Sequence, residues 1–180
     1  TLADELRHNS KEAISKLKKL GVKNIIMLTG DTKQKAKMIA DELGIDEVRA
    51  ELLPQDKAKI VKELMNEGKK VAFVGDGIND APALISAHVG ISMSRGADIA
   101  KATADISLLK DDIMAVVEAK EYANKTMNLI NNNFNATVGI NSCILAGATF
   151  GIFSPIVTAV LHNGTTIGLL FNSIKGVNIK

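Results

Sequence analysis

The run VAFVGDGINDAPAL, residues 71–84, places two carboxylates and an amide where an apolar segment ends. Asp76 stands between Gly75 and Gly77, and Asn79 and Asp80 follow before Pro82. Glycines let a backbone turn sharply and bring a carboxylate close to a partner. A carboxylate so placed suits a hard cation, above all Mg2+ beside phosphate oxygens. A second run, MLTGD (27–31), offers the Thr29 hydroxyl, then Gly30 and the Asp31 carboxylate. A third, LLPQDKAKIV, puts Lys57 in the first turn of a predicted helix, where a cation opposes the helix dipole and calls for an anion nearby. Hydroxyl, ammonium and metal-binding carboxylate are the groups that hold a phosphoryl group and neutralise charge developing on it. Plainer readings exist for each part. Thr29, Asp31 and Asp80 are the residue types of helix N-caps, and Lys57 alone fits a solvated surface lysine. The capping reading leaves Asp76 unexplained, because no helix has yet begun there.

The elements needed to bring these residues together are legible upstream and downstream. ADELRHNSKEAISKLKKLG has Ile14, Leu17 and Leu20 on one helical face and stops at Gly21. NIIML (24–28) reads as a buried strand, TKQKAKMIADELG as a helix closed by Gly44, and residues 47–50 as a short strand. Pro54 opens the next helix and Gly68 closes it. KVAFV is then a strand, NDAPALISA a short helix, and HVGIS and ADISLL strands around a helix at 97–102. Strands alternating with helices predict a doubly wound parallel α/β sheet. In such sheets ligands bind at the carboxyl ends of strands, which is where both TGD and GDGIND fall.

Composition divides the chain. Net charge is +2, too small to suggest nucleic-acid binding, and the single Cys143 excludes an internal disulfide and a cysteine-rich metal site. Residues 131–174 contain no Asp, Glu, Lys or Arg. Two arms of largely apolar residues, 134–153 and 155–174, flank the breaker Ser154-Pro155, each about the 20 residues that cross a bilayer core. Gly139, Ala146, Gly147, Ala148, Gly151 and Gly164 allow close helix packing. Lys120 and Lys125 before the first arm and Lys175 and Lys180 after the second put both ends on the cytoplasmic side. A two-helix appendage packed on the α/β domain is the soluble alternative. The reading is therefore a partial α/β domain at 1–110, a linking helix at 111–133, and a transmembrane hairpin.

TGD, then PxxK, then GDGINDAPAL resembles the phosphorylation domain of P-type ATPases, a branch of the haloacid dehalogenase superfamily. The similarity continues through VGISMSRGADIAKATADISLL and looks closest to the heavy-metal-transporting branch. It implies a Rossmannoid haloacid-dehalogenase-like fold, with ATP bound mainly by regions outside this sequence. Thr29 and Lys57 would contact the phosphoryl oxygens, with Gly30 and Asp31 in the same loop. Asp76 would bind Mg2+, while Asn79 and Asp80 would orient ligands and phosphate. The family's DKTGT aspartate, which becomes the aspartyl-phosphate, is absent, as are its TGE loop and His-Pro motif. The start at Thr1 rather than Met agrees with a C-terminal piece of a longer pump, inactive alone and partnered by the rest of its own chain. A soluble phosphatase of the superfamily would need an aspartate at a first strand end, and Asp4 is the only one before Asn24. An accessory protein that binds Mg2+ or phosphate is the non-catalytic alternative.

For a transported ion, the polar residues of the arms are the ligands on offer: Asn141, His162 and Thr166 in particular. Zinc and cadmium pumps place a lysine near Asn141 and an aspartate near His162, and this chain has neither. Copper pumps carry Tyr-Asn and Met-Ser-Ser, and only Asn141 is kept. HNGTT (162–166) is similar to the HEGGT of cobalt-type pumps except for Asn163. Imidazole and oxygen donors with little sulfur favour a divalent transition-metal cation over Cu(I).

Overall fold

The computed structural model describes residues 9–76, 78–93 and 98–176. Asp4, Gly77, Ala97 and Lys180 lie outside the described residues. The chain divides into two compact units, 1–120 and 121–180.

In the first unit, helices and parallel strands alternate: α1 (Ser10–Lys19), β1 (Ile26–Leu28), α2 (Lys33–Leu43), β2 (Glu47–Arg49), α3 (Pro54–Asn66) and β3 (Ala72–Gly75). A single 3-10 turn (Ile78–Asp80) leads into α4 (Ala81–Ser86), β4 (Val89–Ser92), α5 (Asp98–Thr103) and β5 (Ile106–Ser107). The helices bury small or branched residues at helical spacing: Ala36 and Ala40 on α2, Ile60, Val61 and Leu64 on α3, and Ala81, Ala83 and Leu84 on α4. Gly44, at φ 74, ends α2 in the left-handed conformation that glycine adopts without strain.

All pairings are parallel, but the strands form two sheets instead of the one expected. β1 pairs with β2, while β3, β4 and β5 form a three-stranded sheet in that order. Among the described residues no strand lies between β1 and β3, so each keeps one edge without a described neighbour. ADISLL yields only two strand residues, Ile106 and Ser107. Ile91 and Met93 anchor the core of the larger sheet with Leu108 and Val116, packed by Leu17, Val74, Val89 and Ile113.

At the amino ends of β1 and β2 the unit is pinned electrostatically. Lys18 Nζ donates to Asp46 Oδ1 at 2.6 Å and to the Gly44 carbonyl at 2.8 Å, and the Ile25 N–H donates to Asp46 Oδ2 at 2.8 Å. The Lys18 hydrogen bond, then the Ile25 N–H, hold the Asp46 carboxyl below the usual carboxylate range.

The second unit is helical. α6 (Met114–Thr149) begins before the unit boundary, three residues into the expected linking segment, and runs unbroken into the first arm, ending short of residue 153. Gly151, at φ 71, turns the chain, and α7 (Pro155–Gly176) starts at the expected proline. Ser154 stabilises that start: its carbonyl accepts the Thr158 N–H at 2.9 Å. The sequence reading expected two membrane spans, yet among the described residues no helix is long and apolar enough to cross a membrane. Length is ample. What falls short is apolarity, because α7 carries His162, Asn163, Thr165, Thr166, Asn172 and Ser173 within its 22 residues.

Two predictions follow from the first unit. A Cβ built on Gly90 of β4 would lie 2.6 Å from the Leu84 carbonyl oxygen of α4. Gly90→Ala should therefore lower unfolding free energy by about 1–3 kcal/mol in urea titration, the usual cost of overpacking. A carboxyl held low in the fold contributes stability that is complete above its unfolded pKa and is lost as pH falls through the folded value. Asp46→Asn should accordingly lower thermal stability near neutrality, with the difference from the parent closing as pH falls below about 4 in melts followed across pH.

Candidate phosphate and metal site

The site is built at the carboxyl ends of β1 and β3. β1 leads into a loop in which Thr29 Oγ1 accepts the Asp31 N–H at 3.1 Å and lies 3.3 Å from Asp31 Oδ2. This is the local side-chain turn that Ser and Thr readily form. The Thr29 N–H continues the strand ladder to the Arg49 carbonyl at 3.0 Å. The loop is then tied to the segment entering α3: Glu51 N–H donates to the Asp31 carbonyl at 2.9 Å, and Leu52 N–H to the Thr29 carbonyl at 3.1 Å. A Cβ on Gly30 would lie 3.4 Å from the Leu52 carbonyl oxygen, ordinary contact, so the loop sits directly against this segment. Glu51 holds a left-handed φ of 58, rare for a non-glycine residue.

α3 is capped by Asp56, whose Oδ2 accepts the Leu53 N–H at 2.9 Å. One residue on, Lys57 projects to the other half of the site. Its Nζ meets Asp80 Oδ1 at 2.7 Å, with the two side chains only 21% and 10% exposed. The anion that Lys57 required in its helix's first turn is therefore internal. Asp80 in turn lies against the end of β3: a Cβ on Gly75 would come within 2.8 Å of Asp80 Cβ and 3.0 Å of Asp80 Oδ2. Gly75 is needed here for space rather than for a special backbone angle, since it is absent from the described glycines with positive φ. Asp76 follows immediately; it is exposed and has no hydrogen-bond or ion-pair partner among the described residues.

The contacts thus run continuously from the Thr29 loop through Leu52 to Lys57, then to Asp80, Gly75 and Asp76. The plain capping readings do not describe these residues. The N-cap of α2 is Thr32, not Thr29 or Asp31, and Asp80 occupies the N-cap position of α4 without a side-chain cap hydrogen bond. Asn79 is exposed on the 3-10 turn. Ser92, fully buried and in register with Gly75, is the polar residue here that the sequence reading missed, because HVGIS looked like plain strand. Among the described residues no three of His, Cys, Asp and Glu gather to hold a metal. Mg2+ often binds through one or two carboxylates plus phosphate oxygens and water, and Asp76 fits the role of one such carboxylate. Asp80 is committed to Lys57.

In the second unit, the His162 and Asn141 side chains meet at 3.1 Å, Nδ1 to Oδ1. An amide oxygen only accepts, so the contact is a hydrogen bond for the tautomer with its proton on Nδ1, which leaves the Nε2 lone pair unused. Thr166 does not join them directly; its hydroxyl donates to the His162 carbonyl at 3.1 Å, one turn along α7.

Comparison with known proteins decides the lineage. A family model for haloacid dehalogenase-like hydrolases matches residues 1–88. A manganese-exporting P-type ATPase of Mycobacterium leprae is 42% identical over 97% of this chain, and a zinc-exporting P-type ATPase of Mycobacterium marinum 41% identical over the same share. The crystal structure of a zinc-transporting PIB-type ATPase in its E2.Pi state superposes with a TM-score of 0.85 at 38% identity, covering 96% of this chain and 28% of that one. Over nearly its whole length the chain is homologous to part of heavy-metal P-type ATPases. It spans about a quarter of the length of the curated relatives it matches, 24% in each of these two. For a heavy-metal P-type ATPase the α/β unit with its parallel strands is the haloacid-dehalogenase-like part.

The Lys57–Asp80 pair is half-buried, so losing one partner leaves the other charge poorly solvated. Lys57→Met and Asp80→Asn should each destabilise the chain. Their double-mutant cycle should return a coupling of about 1–3 kcal/mol, above the value of exposed pairs. Denaturant unfolding of the four proteins measures it.

Proposed function

We propose that this chain is the portion of an ATP-driven heavy-metal cation pump that supplies half of the phosphate site, the other half coming from the rest of the pump. Lys57 held by Asp80 against Gly75 is the observation that carries the reading. This arrangement fixes an ammonium beside a strand end from which the Asp76 carboxylate projects, while hydrogen bonds tie the Thr29 hydroxyl's loop to the start of the same helix. Bound Mg2+ would screen phosphate charge, held by Asp76 and by groups outside this chain. Lys57 would neutralise a phosphoryl oxygen, and Thr29 and the loop of Gly30 and Asp31 would bond it. Asn79 and Asp80 would orient these groups, Asp80 through Lys57. The two open edges of β1 and β3 suit a further parallel strand from the remaining sequence, ending with the nucleophilic aspartate at this same face. ATP would be held mainly by that remaining sequence.

The domain reading that goes with this is an α/β part at 1–110 facing the cytoplasm, a linking helix at 111–133, and a hairpin of the two arms in the bilayer. Support for the hairpin comes from its lack of charge at 131–174 and from large apolar side chains left exposed on both helices, among them Phe134, Leu145, Ile156, Val160 and Phe171. Neither helix is apolar enough to span alone, so insertion would rest on their polar groups turning toward each other and toward neighbouring helices of the pump. His162 Nε2, with Asn141 and Thr166 nearby, is the ligand set proposed for the cargo. Imidazole with oxygen favours a borderline divalent ion over Cu(I). The relatives named for manganese and zinc are almost equally similar, so overall identity does not choose between those ions.

The purified chain alone should release no phosphate from ATP with Mg2+. In the full-length pump, Asp76→Asn should cut Mg2+-dependent phosphoenzyme formation by about 10²-fold, the scale of losing one preorganised electrostatic group. Radiolabel incorporation measures it; an unchanged level removes Asp76 from the site.

A further inference from the structure

The second unit contains a polar cluster that no part of the pump chemistry uses. Asn133 Nδ2 donates to Ser173 Oγ at 2.7 Å, and Asn172 Nδ2 donates to Asn133 Oδ1 at 2.7 Å. Ser173 Oγ donates a hydrogen bond to the Leu169 carbonyl at 3.0 Å, and Thr137 Oγ1 donates to the Asn133 carbonyl at 2.7 Å. One side chain of α6 is thereby bonded to two consecutive side chains of α7, and its donor and acceptor are both engaged.

The cluster is one of several contacts within the hairpin that follow an antiparallel order. A Cβ on Gly147 would strike the Phe153 ring, Asn141 meets His162, Asn133 meets Ser173, and a Cβ on Gly176 would strike Leu129. As α6 is followed backward the partners advance through the turn and along α7, the antiparallel order of a hairpin. At the two glycines the missing side chain leaves room for close approach but supplies no directional bond. The cavity that the helices line is apolar, with Ala136, Ile140, Ile144 and Leu161 around it, and such contacts resist sliding or rotation poorly. Asn133 and Asn141 lie about 12 Å apart along α6 at 1.5 Å per residue, so a slip of α7 at the Asn133 cluster carries directly to His162. A shift of one residue turns a helix by about 100° and would point the imidazole away from Asn141.

We propose that Asn133, through Asn172 and Ser173, is a positioning residue that sets the register of α7 and so holds His162 against Asn141. The clamp concerns hairpin geometry; its importance for transport rests on the cargo reading given above. Asn133 itself touches no cargo. Its bidentate use makes it sensitive to rotation as well as to sliding, which one hydrogen bond would not be.

The test uses the full-length pump in membranes, with Cys143→Ser to remove the native thiol. In that background, Asn141→Cys with His162→Cys reports proximity by the rate of disulfide formation under mild oxidant. Gly147→Cys with Phe153→Cys reports the turn. Adding Asn133→Leu should slow the first pair about tenfold, the effect of losing two membrane-type hydrogen bonds, and leave the second near its parent rate. Asn133→Gln, which keeps the amide, should restore much of the first rate. An unchanged Asn141/His162 rate in Asn133→Leu overturns the proposal. So does equal slowing of both pairs, because Asn133 would then hold the hairpin together without setting its register. The cargo reading is tested separately by His162→Ala in metal transport: if transport persists while Asn133→Leu still slows the first pair, the clamp stands and that reading falls.

Discussion

A lysine in the first turn of a helix faces the positive end of the dipole and costs stability unless an anion answers it. Here the answer is Asp80, at 2.7 Å and almost wholly buried, and much of the first unit's polar architecture depends on that pairing. Asp80 reaches Lys57 only because position 75 has no side chain. Lys57 is in place only because Pro54 and Asp56 start α3 where hydrogen bonds from Glu51 and Leu52 fasten it to the Thr29–Asp31 loop. One ion pair therefore couples the carboxyl ends of β1 and β3 although these strands belong to separate sheets. In the proposed pump, the same pair presents an ammonium of fixed position to a phosphoryl group, which is the preorganisation that electrostatic catalysis demands.

The second unit solves a related problem with neutral groups. Over the stretch 131–174 the helix pair has no charged side chain to orient it, and its apolar contacts tolerate sliding. Direction comes from amides, hydroxyls and one imidazole, paired across the interface in an order set by the turn at Gly151. These polar residues are among those that leave neither helix apolar enough to cross a membrane by itself. His162, Asn172 and Ser173 thus serve mutual recognition and also lower the hydrophobicity of α7.

Much of this was legible in the sequence, and the reasons differ by element. Helices α1 to α3 declared themselves by spaced apolar residues with glycine stops. The strand ends were visible as TGD and GDGIND because polar residues abruptly end apolar runs. The division into two sheets was not legible, because strand pairing depends on neighbours that periodicity does not report. The Lys57–Asp80 pair was half-legible: the need for an anion followed from the dipole, but its supplier lay 23 positions away. Gly75 was read as a hinge and turned out to be a vacancy for Asp80, a distinction that only close approach reveals. Ser92 sat inside an ordinary strand pattern and gave no signal. The hairpin turn was marked by Ser154-Pro155, whereas the Asn133 cluster was hidden among four asparagines at 131–135.

The central claim is that Thr29, Lys57 and Asp76 form half of a phosphate site completed by an aspartate from another part of the pump. The most direct measurement is complementation: this chain is co-expressed with the remaining segment of the pump, and acid-stable radiolabel from ATP is followed on each piece. The account predicts label on the remaining segment, only when this chain is present, and its loss when Lys57 is replaced by methionine. Label carried by this chain, or label on the other segment in its absence, would contradict it.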